Sequence, residues 1–126
     1  MFLALQLAVT LALPNPALTP GVVRQITRDE ICATRWGKDS RHVTLAMRRQ
    51  VFAQYHVSWD DRRKYEVDHL IPRELGGADD VRNLWPQIWA EAHVKDKVEN
   101  VLHKGVCVGV MSLESAQDMM RKWGQE

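Results

Sequence analysis

The segment Tyr65-Glu-Val-Asp-His-Leu-Ile-Pro72, with Gly76-Gly77 close behind it, leaves the backbone few options. Tyr65 to Ile71 is a β-type run, and Pro72, which has no N–H to give to a ladder, stops it. The double glycine followed by Ala78-Asp-Asp80 marks a tight reversal. Val81-Arg-Asn-Leu-Trp85 is a second short segment, ended by Pro86. Asp68 and His69 are adjacent at the end of the first strand. Side chains alternate across a strand, so the carboxylate and the imidazole point to opposite sides, and one can hold a cation while the other faces water. Asn83 follows 14 residues after His69. Its carboxamide can hydrogen-bond an imidazole or a loop carbonyl and so fix the histidine ring.

Helical periodicity surrounds this unit. Residues 44–55 place Met47, Val51 and Tyr55 at i, i+4 and i+8, with Phe52 alongside and Arg48, Arg49 and Gln54 opposite. From Ala90 to about Lys104 a second helix is expected, with Val94, Val98, Val101, Leu102 and Val106 as its apolar stripe and Gly105 weakening or ending it. Ser112 reads as an N-cap, with Glu114 in the first turn and Leu113, Ala116, Met120 and Trp123 on one face of a third helix. Residues 18–42, broken by Pro20, Gly21 and Gly37, read as a mostly extended lead-in, and Ser58 to Lys64 as a polar connection. There are no repeats or low-complexity stretches. The 126 residues suit one domain, residues 18–126, of α+β class: small, mostly helical, around the strand–turn–strand–helix unit.

Together these residues resemble the ββα-metal core of the HNH nucleases, with Asp68-His69 at the first position of that motif and Asn83 at the second. Tyr65 to Gly77 and Asn83-Leu-Trp-Pro-Gln87 are similar in particular to a group of small bacterial HNH-motif proteins. The likeness continues through Lys95-Asp-Lys-Val-Glu-Asn100, Leu102-His-Lys-Gly-Val-Cys107 and Ala116-Gln117 to Trp123. The resemblance implies a core over residues 65–104 and metal-dependent phosphodiester hydrolysis in DNA, or in RNA. In that reading His69 is the general base, Asn83 fixes it, and one divalent ion is held by Asp68 and a later histidine. The third element departs from the common pattern. No Cys-x-x-Cys-His segment follows Asn83, so no structural zinc site can be argued. His93, ten residues after Asn83 and flanking the expected stripe, is the favoured ligand, with His103, nearly opposite the stripe, as the alternative. Carboxylate plus imidazole favours Mg²⁺ here and tolerates Mn²⁺, Ni²⁺ or Zn²⁺.

A net charge of +1 does not advertise nucleic-acid binding, so phosphate contacts must come from local clusters. Arg62, Arg63 and Lys64 lead into the first strand, Arg73 and Arg82 lie in the loop, and Lys95 and Lys97 lie on the following helix; each is otherwise a solvated surface cation. Trp59, Trp85 and Trp89 are candidates to stack on bases, although Trp85 beside Pro86 reads better as core. Asp60-Asp61 and Asp79-Asp80 read as solvated turn residues. Two settings compete for the enzyme, an exported nuclease and a cytosolic one. A third reading is a catalytically inactive ββα module that binds nucleic acid or a protein partner.

Localisation rests on the N-terminus and the cysteines. Phe2 to Leu13 is apolar and uncharged, too short to span a bilayer but suited to an export signal over residues 1–17, with small residues near Ala17 for cleavage. No Lys or Arg precedes it, so a mis-called start and a short buried helix stand as other readings. Cys32 and Cys107 are the two cysteines. In a secreted or periplasmic protein they would pair, whereas in a cytoplasmic one they would be buried thiols.

Overall fold

A two-stranded antiparallel sheet, β1 (Tyr65–His69) and β2 (Leu84–Ile88), lies at the centre of the chain. Its register pairs Glu66 with Gln87, Asp68 with Trp85 and His69 with Leu84. The computed structural model describes residues 13–37 and 41–125. β2 begins only after Asn83 and runs through Pro86, where an ended segment was expected. In a two-stranded sheet each strand has a free edge, so a proline that cannot donate is accommodated. The chain passes directly from β2 into the long helix α3, residues Trp89–Cys107, giving the strand–strand–helix order expected and an α+β domain.

α2 (Leu45–Gln54) forms as its periodicity dictates, with Thr44 capping the Met47 amide. It buries Val51, Phe52 and Tyr55 against Val67, Leu70, Leu84 and Trp85. A second apolar cluster joins Ile71 and Leu75 to Leu102 and Val106 of α3 and to Ala116 and Met120 of α4 (Leu113–Arg121). Ser112 caps α4 as expected, its Oγ accepting from the Ser115 amide. The connection after Ser58 is one 3₁₀ segment, Trp59–Lys64.

Three expectations need correction. The lead-in holds a short helix, α1 (Arg28–Ala33), capped by Thr27, whose Oγ1 accepts from the Glu30 amide and donates to the Glu30 carboxylate. α3 runs past Gly105 to Cys107, because its last turns pack against α4 and α1. Its buried stripe is Ala92, Lys95, Glu99, Leu102 and Val106, while Val94 and Val101 are 54% and 70% exposed. The stripe is therefore rotated, because two charged residues occupy inward positions that an apolar pattern cannot reveal.

Residues 1–12, most of the expected signal, lie outside the described residues. From Pro14 onward the chain is built into the domain. Pro14 is buried, the Asn15 amide donates to the Tyr55 hydroxyl, and Thr19 bonds both that hydroxyl and the Leu84 carbonyl. Among the described residues no helix is long and apolar enough to cross a membrane.

Cys32 and Cys107 form a disulfide with Cα atoms 5.7 Å apart, as export would require, joining α1 to the end of α3. It closes a loop of 75 residues, worth about 4 kcal/mol in the chain-entropy model. Reduction is therefore expected to lower the stability by an amount of that order. Urea unfolding with and without reductant measures it, and unchanged midpoints would show that the bridge constrains nothing.

Candidate functional site

Gly77 decides how the chain leaves β1. A Cβ there would lie 1.7 Å from the Ile71 carbonyl oxygen, so only glycine fits. Gly76 before it takes a left-handed turn at φ 88°. The loop is then closed by one fully buried side chain, Asn83. Its Oδ1 accepts from the Ile71 amide at 3.0 Å, and its Nδ2 donates to the carbonyls of Ile71 and Ala78, both at 3.0 Å. Of the two roles open to Asn83, the structure shows the loop carbonyl. Asn83 positions the turn behind His69 and does not touch the imidazole.

His69 is 4% exposed. Its Nε2 lies 2.7 Å from Oδ1 of Asp79, and its Nδ1 lies 3.2 Å from Nη2 of Arg41. Asp79 accepts in turn from the His42 amide at 2.8 Å and from the Arg73 guanidinium. Although burial works the other way, these three donors hold the Asp79 carboxyl down at about 2. An ionised carboxylate at Nε2 fixes the tautomer with its proton on Nε2, leaving the Nδ1 lone pair toward Arg41. Asp79 thus belongs to the site and is not the solvated turn residue expected. An acid two positions after the double glycine was the available signal.

Burial pushes the imidazole down to about 4, with Arg41 and Arg73 acting in the same direction and Asp79 against it. The unfolded ring takes its proton near the ordinary value of 6.5, so between these values the unfolded state binds more protons. The stability associated with His69 is therefore complete above about pH 6.5 and lost as pH falls toward about 4. Urea midpoints of wild type and His69→Gln, measured from pH 7 to pH 4, should converge in acid; parallel curves would show that the ring is not held neutral.

On the other side of β1, Asp68 accepts from the His69 amide through Oδ1 and lies 3.2 Å from Nζ of Lys95 through Oδ2. Lys95 is fully buried. Its ammonium also donates to the His69 carbonyl and to Oε2 of Glu99, both at 2.6 Å, and sits 5.3 Å from the centre of the Trp85 ring. Two hydrogen bonds and the ion pair with Asp68 occupy the ammonium. Lys95 cannot serve as the phosphate contact expected of it; it holds the backbone of His69 from behind. Burial raises both carboxyls, that of Glu99 to about 8, while against burial the two acids hold Lys95 protonated. Burial thus opposes the charge of both acids, and the Lys95 ammonium between them is what favours it.

Asp68, His69 and Glu99 line a cavity of about 380 Å³, together with Arg41, Arg73 and the acids Glu66, Glu74 and Asp96. Burial, with Asp68 and Asp96 adding to it, raises Glu66 to about 7. Oε2 of Glu66 and Oδ2 of Asp68 are buried without a hydrogen bond, although Oδ2 keeps its ion pair with Lys95.

The expected metal ligands are not brought together. His93 is exposed on the far side of α3, edge-on to Trp89 at 6.2 Å. Counting 100° per residue from Lys95, it points about 160° away from the inward direction. His103 is half-buried, with Nε2 3.7 Å from Cys107 Sγ, and does not line the cavity. Among the described residues no three His, Cys, Asp or Glu side chains converge on a metal position. Of the expected phosphate contacts, Arg62, Arg63, Lys64 and Lys97 are exposed, Arg73 is held by Asp79, and Arg82 forks onto Asp80. Compared with family models, with curated proteins and with solved structures, the chain finds no match in any of the three.

Proposed function

We propose that the chain is an HNH-type endonuclease that hydrolyses phosphodiester bonds in nucleic acid, with His69 as the general base. One observation carries the reading. His69 is buried and neutral, its Nε2 proton is held by ionised Asp79, and its Nδ1 lone pair faces a polar cavity edged by a guanidinium. Such a ring is in its proton-accepting form at neutral pH, and moving the Arg41 charge away makes it a stronger base.

The resting structure also shows what must change. Nη2 of Arg41 covers the Nδ1 lone pair, so a water molecule reaches it only when the guanidinium moves. An anionic phosphate is the ligand that competes for a guanidinium most effectively. Arg41 then turns to the phosphate, Nδ1 accepts the proton of the incoming water, and Asp79 stabilises the imidazolium that forms. Lys95 and Asn83 keep the strand end and its loop in place throughout.

The metal is tested by the oxygens. Glu66 and Asp68 stand at i and i+2 on one face of β1, and each has a buried oxygen without a hydrogen bond. Mg²⁺ needs only one or two carboxylates, with water and phosphate for the rest, so these two fit Mg²⁺ better than the imidazole-preferring ions. Lys95 already offsets part of the Asp68 charge. When bound, such an ion would neutralise charge on the scissile phosphate and its departing oxygen.

The test is cleavage of plasmid and of single-stranded DNA and RNA by the purified, disulfide-bonded protein, first with EDTA and then with Mg²⁺, Mn²⁺, Ni²⁺ and Zn²⁺. Cleavage with Mg²⁺ and none with EDTA is expected. No cleavage with any ion would leave a binding module.

A further inference from the structure

A second cavity, of about 510 Å³, adjoins the first and shares Arg41 and Glu66 with it. Its walls carry four guanidiniums, those of Arg41, Arg48, Arg62 and Arg63, and the aromatic rings of Trp59, Tyr65 and Trp89. The fold places them deliberately close. α2 supplies Arg48, the 3₁₀ segment supplies Trp59, Arg62 and Arg63, and Trp89 opens α3. The Trp89 indole is 44% exposed yet anchored, its Nε1 donating to the Arg63 carbonyl at 2.9 Å. Trp59 is already covered by guanidiniums, Arg49 at 4.6 Å and Arg62 at 5.4 Å from its ring centre. Trp89 meets His93 edge-on at 6.2 Å and carries no guanidinium over its ring among the described contacts, so it is the exposed indole of this cavity offered to a planar ligand.

We infer that this second cavity binds an unpaired nucleobase of a single-stranded nucleic acid and presents the adjoining phosphate to Arg41 and His69. Four cations around recessed rings suit a ligand that is anionic along one edge and flat along the other. A stacked duplex offers only its phosphate ridge to such a recess, because its base faces are covered; an unpaired strand can turn a base into it. The shared Arg41 supplies the register. Its guanidinium lines both cavities and is 3.2 Å from His69 Nδ1, so a phosphate that it holds is shared between a base in the second cavity and the imidazole in the first. The inference rests on the nuclease reading for its direction, but binding can be measured without cleavage.

The experiment is fluorescence anisotropy in EDTA at one fixed salt concentration. It compares a labelled 12-nucleotide single strand, its RNA counterpart, the same DNA sequence as a duplex, and an abasic strand of equal charge. The single strands should bind at least about tenfold more tightly than the duplex and the abasic strand. Trp89→Ala should weaken single-strand binding between about fivefold and 100-fold, the range for loss of one stacking aromatic, while Trp89→Phe should retain most of it. Circular dichroism establishes that each variant is folded; if Trp89→Ala is not, loss of the Trp89 fluorescence change on binding, read by difference from Trp89→Phe, gives the same answer. Equal affinity for all four ligands, or full affinity in folded Trp89→Ala, would overturn the subsite. Single-strand preference without cleavage would retain the subsite and defeat the nuclease, whereas cleavage of duplex and single strand at equal rates with equal affinities would do the reverse.

Discussion

Replacing His69 by alanine is expected to lower the cleavage rate by a factor on the order of 10²–10⁴ while nucleic-acid affinity changes little. The variant removes the proton acceptor at Nδ1 and leaves the arginines of both cavities in place. The bland alternative makes His69 a packed strand residue whose loss lowers stability and binding together. Cleavage rate and dissociation constant are therefore measured as a pair at fixed salt, with an unfolding curve for each protein. Loss of rate with binding intact supports the assignment; equal rates in both proteins would end it. Asp79→Asn makes a second probe of the same chemistry, because an amide at 2.7 Å from Nε2 no longer dictates which nitrogen carries the proton. Its rate should fall between those of wild type and His69→Ala.

Lys95→Met should destabilise the fold by about 3–5 kcal/mol at neutral pH, the cost of leaving buried carboxylates without their cation. The methionine retains the length of the side chain, so packing is largely kept. The loss should shrink in acid, where Asp68 and Glu99 can both take protons, and Glu99→Leu on top of Lys95→Met should recover part of it. Urea denaturation at pH 7 and pH 5 reads all three. A surface lysine would give a change within about 0.5 kcal/mol, and that result would return Lys95 to the exposed face on which the sequence pattern had put it.

Lys95 shows where sequence reading reaches its limit. The strands, the reversal, α2 and α4 were legible because each rests on local rules: alternation, helical periodicity, proline and glycine punctuation, a capping Ser112. Asp68, His69 and Asn83 were legible as a group for the same reason, since one turn brings them together. The orientation of α3 was not. Its valines at 94, 98 and 101 suggested an inward face, but the partner of the helix is a strand end bearing Asp68, and the side chain that satisfies it is a lysine. His93 was favoured through that rotated face, together with its spacing of ten residues from Asn83. Asp79 and Arg41 were missed because their roles depend on contacts 10 and 28 residues away in sequence. The Thr27 N-cap of α1 was legible and overlooked beside the prolines and glycines around it.

The closure of the turn by Asn83 has a consequence for how the molecule fluctuates. The amides of Leu70 and Ile71 are bonded to Asn83 itself, one through its carbonyl and one through its side chain, and Gly77 is bonded to the Pro72 carbonyl. Asn83 also donates to the Ile71 and Ala78 carbonyls on either side of Gly77, so releasing its carboxamide frees several bonds at once and exposes a fully buried polar group. The loop should therefore behave as one cooperative unit. In native-state hydrogen exchange the amides of Leu70, Ile71 and Gly77 should exchange with a common, near-global opening energy, while those of the exposed Trp59–Lys64 segment exchange by local fraying. Partial openings that scatter His69 and Asp79 would then be rare, and the pair would remain assembled as long as the protein is folded.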